Sequence, residues 1–236
     1  MKKITLLILL IKISIVNAQI FGTQQMIEDE NIKIKPWIEN DIKNYVGLYS
    51  FGESEAESSI HLTIADKIIC VQLEEGDWAS ENGKLIGWHM KYKNFSNVRI
   101  EGNLFFSDQS NGEFVTFIYN NTNRKGLKLE NPPIQTGSNG DYEIGSISKP
   151  DKIGKYFNTK EDILTDNILS KMNKSELKIM RNEIYARYHY IFKTKQMSEY
   201  FKKQDWYSGY HNNIDLYLTK IEKENIKKIK AFEKSL

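Results

Sequence analysis

Part-way along this chain the apolar residues change period, and that change limits the fold more than any other feature. From Tyr45 to Leu129 they come in short runs rich in β-branched and aromatic types, separated by Gly, Asn, Asp and Ser. Candidate strands are Tyr45 to Phe51, Ile60 to Ile64, Lys67 to Leu73, Lys84 to Tyr92, Val98 to Ser107, Glu113 to Tyr119 and Lys125 to Leu129. In Ile60-His61-Leu62-Thr63-Ile64 the apolar residues share one face and His61 and Thr63 the other. Glu81-Asn82-Gly83, Ser107-Asp108 and Ser110-Asn111-Gly112 supply turn formers that tolerate positive φ or bond locally through their side chains. Such a meander is expected to close as a small barrel or a sandwich, because an open sheet leaves long edges exposed.

After residue 160 the spacing becomes helical. Leu177, Met180, Ile184, Tyr188 and Ile191 form a stripe that only a helix gathers on one face. Asn173 to Glu176 offers its capped start, and Glu183 stands four residues before Arg187, the favourable order for a helical ion pair. A short helix is expected from about Ser198 to Lys203. Another runs from about Asp215 to Lys234, with Leu218, Ile221, Ile229 and Phe232 in its stripe and Asn225 interrupting it. Between the two regimes, prolines and the run Thr136-Gly137-Ser138-Asn139-Gly140 cannot build a core and predict a linker.

The first eighteen residues have a basic start at Lys2 and Lys3, an apolar run from Ile4 to Val16 broken by Lys12, and small residues in Val16-Asn17-Ala18. These are the parts of a cleavable secretory signal peptide, cut after Ala18, and the run is short for a membrane span. An uncleaved anchor is the alternative. The expected class is α+β: signal peptide 1–18, N-terminal segment 19–44, antiparallel β domain 45–130, linker 131–160 and a three-helix domain 161–236. The mature chain is expected to be secreted or periplasmic, with no membrane span.

Without the signal segment the chain carries 30 basic and 31 acidic side chains, unevenly placed. Residues 19–135 hold 11 basic and 17 acidic groups, whereas 136–236 hold 19 and 14. That asymmetry suggests two units, the second able to meet an anionic partner, although it is too weak to argue for nucleic acid. The single cysteine, Cys70, lies in an apolar run, where it reads as a small buried hydrophobe. His61, His89, His189 and His211 make no metal spacing, so neither a metal site nor a cofactor is expected. Gly52-Glu53-Ser54-Glu55-Ala56 lacks the second glycine of a nucleophile elbow, and Gly137 and Gly140 fit no phosphate loop.

The segment from Leu177 to Phe192, containing Arg181-Asn182-Glu183-Ile184-Tyr185-Ala186-Arg187-Tyr188-His189, closely resembles the signature of the YARHG domain family. Tyr200-Phe201-Lys202-Lys203-Gln204-Asp205-Trp206-Tyr207 resembles that family's second motif. The resemblance covers roughly residues 165–235 and implies a small extracellular or cell-envelope module. Where the family has His-Gly, this chain has Tyr188-His189. A glycine there ends a helix in the left-handed conformation without steric cost, so His189 either bears that cost or continues the helix.

Arg181, Glu183, Tyr185, Arg187, Tyr190, Trp206 and Tyr207 are the candidate binding residues. Two arginines beside aromatics can grip a carboxylate or stack on a sugar ring; alternatively they are internally paired and the aromatics are core. The strand-borne Trp78, Trp88, Tyr92, Phe95, Phe105, Phe106, Phe114, Phe117 and Tyr119 are expected to be core or to line a ligand cavity. The sequence thus favours an exported, non-catalytic binding or structural module with a cell-wall or glycan ligand. A cell-wall hydrolase and a carrier of a small hydrophobic ligand are the alternatives.

Overall fold

The computed structural model describes residues 33–52, 58–130, 132 and 142–236. Residues 1–18, residues 53–57, and Gly137 and Gly140 lie outside the described residues. Ten antiparallel strands form one sheet: β1 (Lys35–Pro36), β2 (Gly47–Phe51), β3 (Ser58–Ala65), β4 (Ile68–Glu81), β5 (Lys84–Asn94), β6 (Arg99–Glu101), β7 (Leu104–Phe106), β8 (Asn111–Tyr119), β9 (Thr122–Glu130) and β10 (Tyr142–Ser148). Their spatial order is β5-β4-β3-β2-β10-β9-β8-β7-β6, with β1 added to β8. Five helices follow: α1 (Asn158–Glu161), α2 (Asp166–Leu169), α3 (Lys174–Arg187), α4 (Lys195–Phe201) and α5 (Lys220–Ser235). The fold is α+β.

The sheet curls because rings from distant strands share one core. Tyr45 stacks on Phe114 with centroids 3.9 Å apart, and Phe105 meets Phe114 edge-on at 6.3 Å. Phe95, at the end of edge strand β5, reaches Phe105 near the opposite edge, so four residues, 95–98, connect the two edges. Each buried ring contributes roughly 1.5–3 kcal/mol of transfer free energy. Two-residue turns set the hairpins: Asn82 and Gly83, and likewise Asn120 and Asn121, all have positive φ, as the tight turns matching strand twist require.

Several expectations are corrected here. The stretch 131–160 is more than a linker, since β10 sits in the middle of the sheet between β2 and β9 and α1 starts at Asn158. Its run Tyr-Glu-Ile-Gly-Ser-Ile-Ser is too poor in apolar residues to read as a strand. Gly145 is needed there because the ring of Phe51 lies 2.6 Å from where a Cβ would stand. Val98 to Ser107 is two short strands around Gly102, and Gly112 lies within β8 instead of in a turn. Two four-residue helices join the three expected, and the last helix starts five residues later than Asp215, at Lys220.

The strand aromatics divide. Phe95, Phe105, Phe114 and Phe117 are buried, while Trp78 is 56% exposed and meets half-buried Trp88 edge-on. Both tryptophans sit where β4 and β5 run past β3 as a two-stranded ribbon, because β3 pairs with β4 only up to Glu74. Trp88 and Phe105 therefore face no common cavity. Cys70 is buried beside Ala65 and Ile221, at the contact between the sheet and α5.

Candidate functional site

Helix α3 carries the candidate residues, and its ends are fixed by its own sequence. Asn173 accepts from the Glu176 N–H at 3.0 Å while Glu176 accepts from the Asn173 N–H, a reciprocal capping box. At the other end the His189 N–H donates to Ala186 and the Tyr190 N–H to Tyr185, a Schellman closure with His189 at φ 56°. His189 thus adopts the left-handed conformation that glycine takes without steric cost. Its ring stacks on Tyr210 at 4.5 Å, Tyr210 stacks in turn on His89 at 3.9 Å, and His189 Nδ1 lies 2.9 Å from the Ser208 carbonyl. Burial lowers the His189 pKa, with the Ser208 contact opposing. These contacts offset the steric cost that a glycine would have avoided.

The structure separates the seven candidates into two groups. Glu183 is 2% exposed and accepts from the N–H groups of Lys155 and Tyr156 at 3.0 and 2.6 Å. Gly154, at φ 87°, lets the chain pass so close that a Cβ would stand 2.5 Å from Glu183 Oε1. Arg187 lies 3.3 Å from Glu183, donates to Thr159 Oγ1 at 2.6 Å, and stands 3.9 Å from Glu222. Burial raises the Glu183 pKa, opposed by the Tyr156 N–H and the Arg187 charge. This pair faces inward. Trp206 and Tyr207 pack around Phe201, with the Tyr207 hydroxyl donating to the Tyr190 carbonyl at 2.6 Å.

Arg181, Tyr185 and Tyr190 form the second group. They line an open cleft of about 470 Å³ with Asn182, Lys193, Thr194, Asn212, Asn213 and Asp215. Arg181 Nε bonds both oxygens of Glu233 at 3.0 and 3.2 Å, and its guanidinium also meets the Tyr185 hydroxyl, whose pKa burial raises. A parallel bridge between Tyr190 and His211, with the Ile191 N–H bonded to the His211 carbonyl, holds one wall of the cleft against the other. The cleft brings together cationic donors, amides, tyrosine rings and one carboxylate.

Four residues outside the predicted site, of which only Asn225 stood out in the sequence, as a break in a helical stripe, hold the helical unit together or join it to the sheet. Asn225 is fully buried; its amide donates to the carbonyls of Thr159 and Asp162 and accepts from the Leu164 N–H. Glu222 closes a capping box with Thr219 and accepts from the Tyr188 hydroxyl at 2.7 Å. Gln72 and Asn94, side by side on β4 and β5, bond the Tyr217 carbonyl. The outer edge of β5 is also occupied: Met90 N–H donates to the Tyr210 hydroxyl and its carbonyl stands 2.8 Å from His211 Nε2. A polar residue inside an apolar stripe signals Asn225, and Thr-x-x-Glu before an apolar run signals Glu222; nothing local marks Gln72 or Asn94.

Among the described residues no group of three or more His, Cys, Asp or Glu is placed to hold a metal ion, and no helix is long and apolar enough to cross a membrane. Comparison with curated proteins and with solved structures found no match. The sheet half has no family match. Residues 155–234, which contain the cleft, the inward-facing Glu183–Arg187 pair and the His189 closure, match the family model of the YARHG domain, so the C-terminal third of the chain carries a YARHG domain.

Proposed function

We propose that this is an exported cell-envelope protein whose YARHG domain binds a glycan unit of the cell wall, without catalysis, in the cleft beside α3. The observation that carries the reading is the cleft itself. Its volume of about 470 Å³ lies within the ~300–1,000 Å³ common for small-molecule sites. Tyrosine faces suit the C–H side of a sugar ring, the Asn212 and Asn213 amides can donate and accept, and Lys193 suits a carboxylate, Arg181 being already held by Glu233. A hydrolase of this substrate class needs two carboxyls roughly 5–10 Å apart, whereas the cleft lining contributes Asp215 alone. Filling of the curled sheet by its own rings likewise gives no support to the carrier reading. The signal-like first eighteen residues and the extracellular character that the family implies support export.

The test is retention on insoluble peptidoglycan at moderate salt. A Lys193→Ala/Asn212→Ala double variant, both residues being exposed cleft residues, is expected to lose most of the bound fraction, while Lys171→Ala keeps it. Absence of retention by the unmodified protein, or equal retention by the double variant, removes this reading.

A further inference from the structure

The positive charge of the C-terminal half has a location that the cleft does not use. Lys220, Lys223, Lys227, Lys230 and Lys234 are exposed and fall at i, i+3, i+7, i+10 and i+14 of α5, one stripe along its outer face. Their separations along the axis alternate between about 4.5 and 6 Å at 1.5 Å per residue. The acids of the same helix are mostly turned away. Glu222 is buried on Tyr188 and Thr219, Glu233 holds Arg181, and only Glu224 approaches the stripe, 3.9 Å from Lys227. The other four lysines have no acidic partner within 4 Å among the described residues.

This arrangement works against the helix that carries it. Lysines three and four apart repel one another, and Lys220 and Lys223 sit at the positive end of the helix dipole. A helix shaped only by its own stability would interleave acids, as the Lys195 and Glu199 pair of α4 does.

We propose that the outer face of α5 binds a flexible linear phosphate polymer, laid along the five lysines. A single file of point charges at this spacing suits a chain that carries one phosphate per repeat. A bilayer surface would call for large apolar side chains among the lysines, and single-stranded nucleic acid for aromatic platforms between them; the other exposed residues of α5 are Ala231 and Ser235, and the exposed Leu216 and Leu236 lie beyond its two ends. The acidic sheet half, 17 acidic against 11 basic groups, disfavours the same ligand elsewhere. The inference is independent of the glycan cleft.

The experiment measures binding of the full mature chain to labelled long-chain polyphosphate at 50 and 200 mM salt, beside oligo-deoxythymidine and anionic phospholipid vesicles. With five lysine contacts, affinity for polyphosphate is expected to fall on the order of 100-fold between the two salt concentrations. A Lys223→Gln/Lys227→Gln/Lys230→Gln variant is expected to weaken it by about tenfold or more, whereas Lys195→Gln/Lys202→Gln/Lys203→Gln, which removes the same charge from α4 and the two residues after it, costs under about threefold. An unchanged circular dichroism spectrum and melting temperature confirm that both variants fold. Equal losses in the two variants, no binding at 50 mM salt, or tighter binding to the oligonucleotide or to vesicles overturns the proposal.

Discussion

Inside the curled sheet the buried groups are rings, Tyr45 against Phe114, Phe105 and Phe95. Inside the YARHG domain the corresponding depth holds Glu183, Arg187, Glu222, Asn225 and Thr159, each bonded to a neighbour. The contrast follows from the secondary structure each half must organise. A meander satisfies its backbone within the sheet, so its interior is free to be apolar. Short helices joined by irregular segments leave N–H and C=O groups beneath them, and buried amides and carboxylates satisfy those groups. Both halves have apolar cores, the second built on Leu177, Met180, Ile184 and Ile229 and on Phe192 and Phe201, but the second adds to its core a layer of specific hydrogen bonds that its stability also needs.

Phe114→Ala tests the first half most severely. It removes a ring that touches Trp37, Tyr45, Tyr49 and Phe105, and the expected loss is about 4 kcal/mol in chemical denaturation. Asn225→Ala tests the second: two carbonyls and one N–H lose their partner, for an expected loss of about 3 kcal/mol. Asn225→Leu, which adds apolar volume, should recover little of it. Recovery to near the original stability would show that polar bonding is incidental there and break the contrast.

The contact between the halves is expected to be acid-sensitive. His61 is 5% exposed, its Nε2 has no hydrogen-bond partner among the described residues, and burial pushes its pKa down to about 3, with Lys160 adding to the effect. A histidine depressed in the folded state leaves the unfolded chain binding the extra proton below about pH 6.5. Stability is therefore lost as pH falls from about 6.5 toward 3, by about 1.4 kcal/mol per unit, or roughly 2 kcal/mol at pH 5. Denaturation of the unmodified protein and of His61→Leu at pH 7 and pH 5 measures this. The variant should lack that part of the acid loss, and parallel behaviour of the two proteins would refute it.

The smallest expected effect concerns the end of α3. His189→Gly removes the strain of a positive φ together with the Tyr210 stack, while His189→Ala removes the stack and keeps the strain. The glycine variant is expected to be more stable than the alanine variant by about 1 kcal/mol. No difference between the two would mean that the helix ends differently in solution.

What could be read from the sequence depended on how local each cause was. Helix α3 was legible because its cap, its ion pair and the stripe residues Leu177, Met180 and Ile184 are local, but the expected stripe ran too far: the helix ends at Arg187, and Ile191 lies exposed beyond the turn at His189, which the sequence alone left undecided. Six of the seven expected strands were legible with shifted ends, through alternation and Asn-rich turns, and the seventh, Val98 to Ser107, is split in two at Gly102. Strand β10 was not, because its place is set by β2 and β9, nearly a hundred residues and a dozen residues away respectively. Arg181 and Arg187 looked alike in the motif, yet one borders the cleft and the other is enclosed by Glu183, Thr159 and Glu222. What distinguishes them is the chain 150–165 folding over Arg187, which no spacing within α3 reveals.

The position of β10 also fixes an order of events during synthesis. Strands β1 to β9 are all made before the strand that joins β2 to β9, and the helices begin only ten residues after that strand ends. At about 5–20 residues per second, the unjoined sheet waits only a second or two between the end of β9 and the arrival of β10. A chain stopped at residue 130 would present the open edges of β2 and β9 to its surroundings, and a chain continued to residue 148 would close them. The middle of the sheet is therefore closed just short of the YARHG domain, by the strand that sequence alone assigns to a linker, while the outer edge of β5 still waits for Tyr210 and His211.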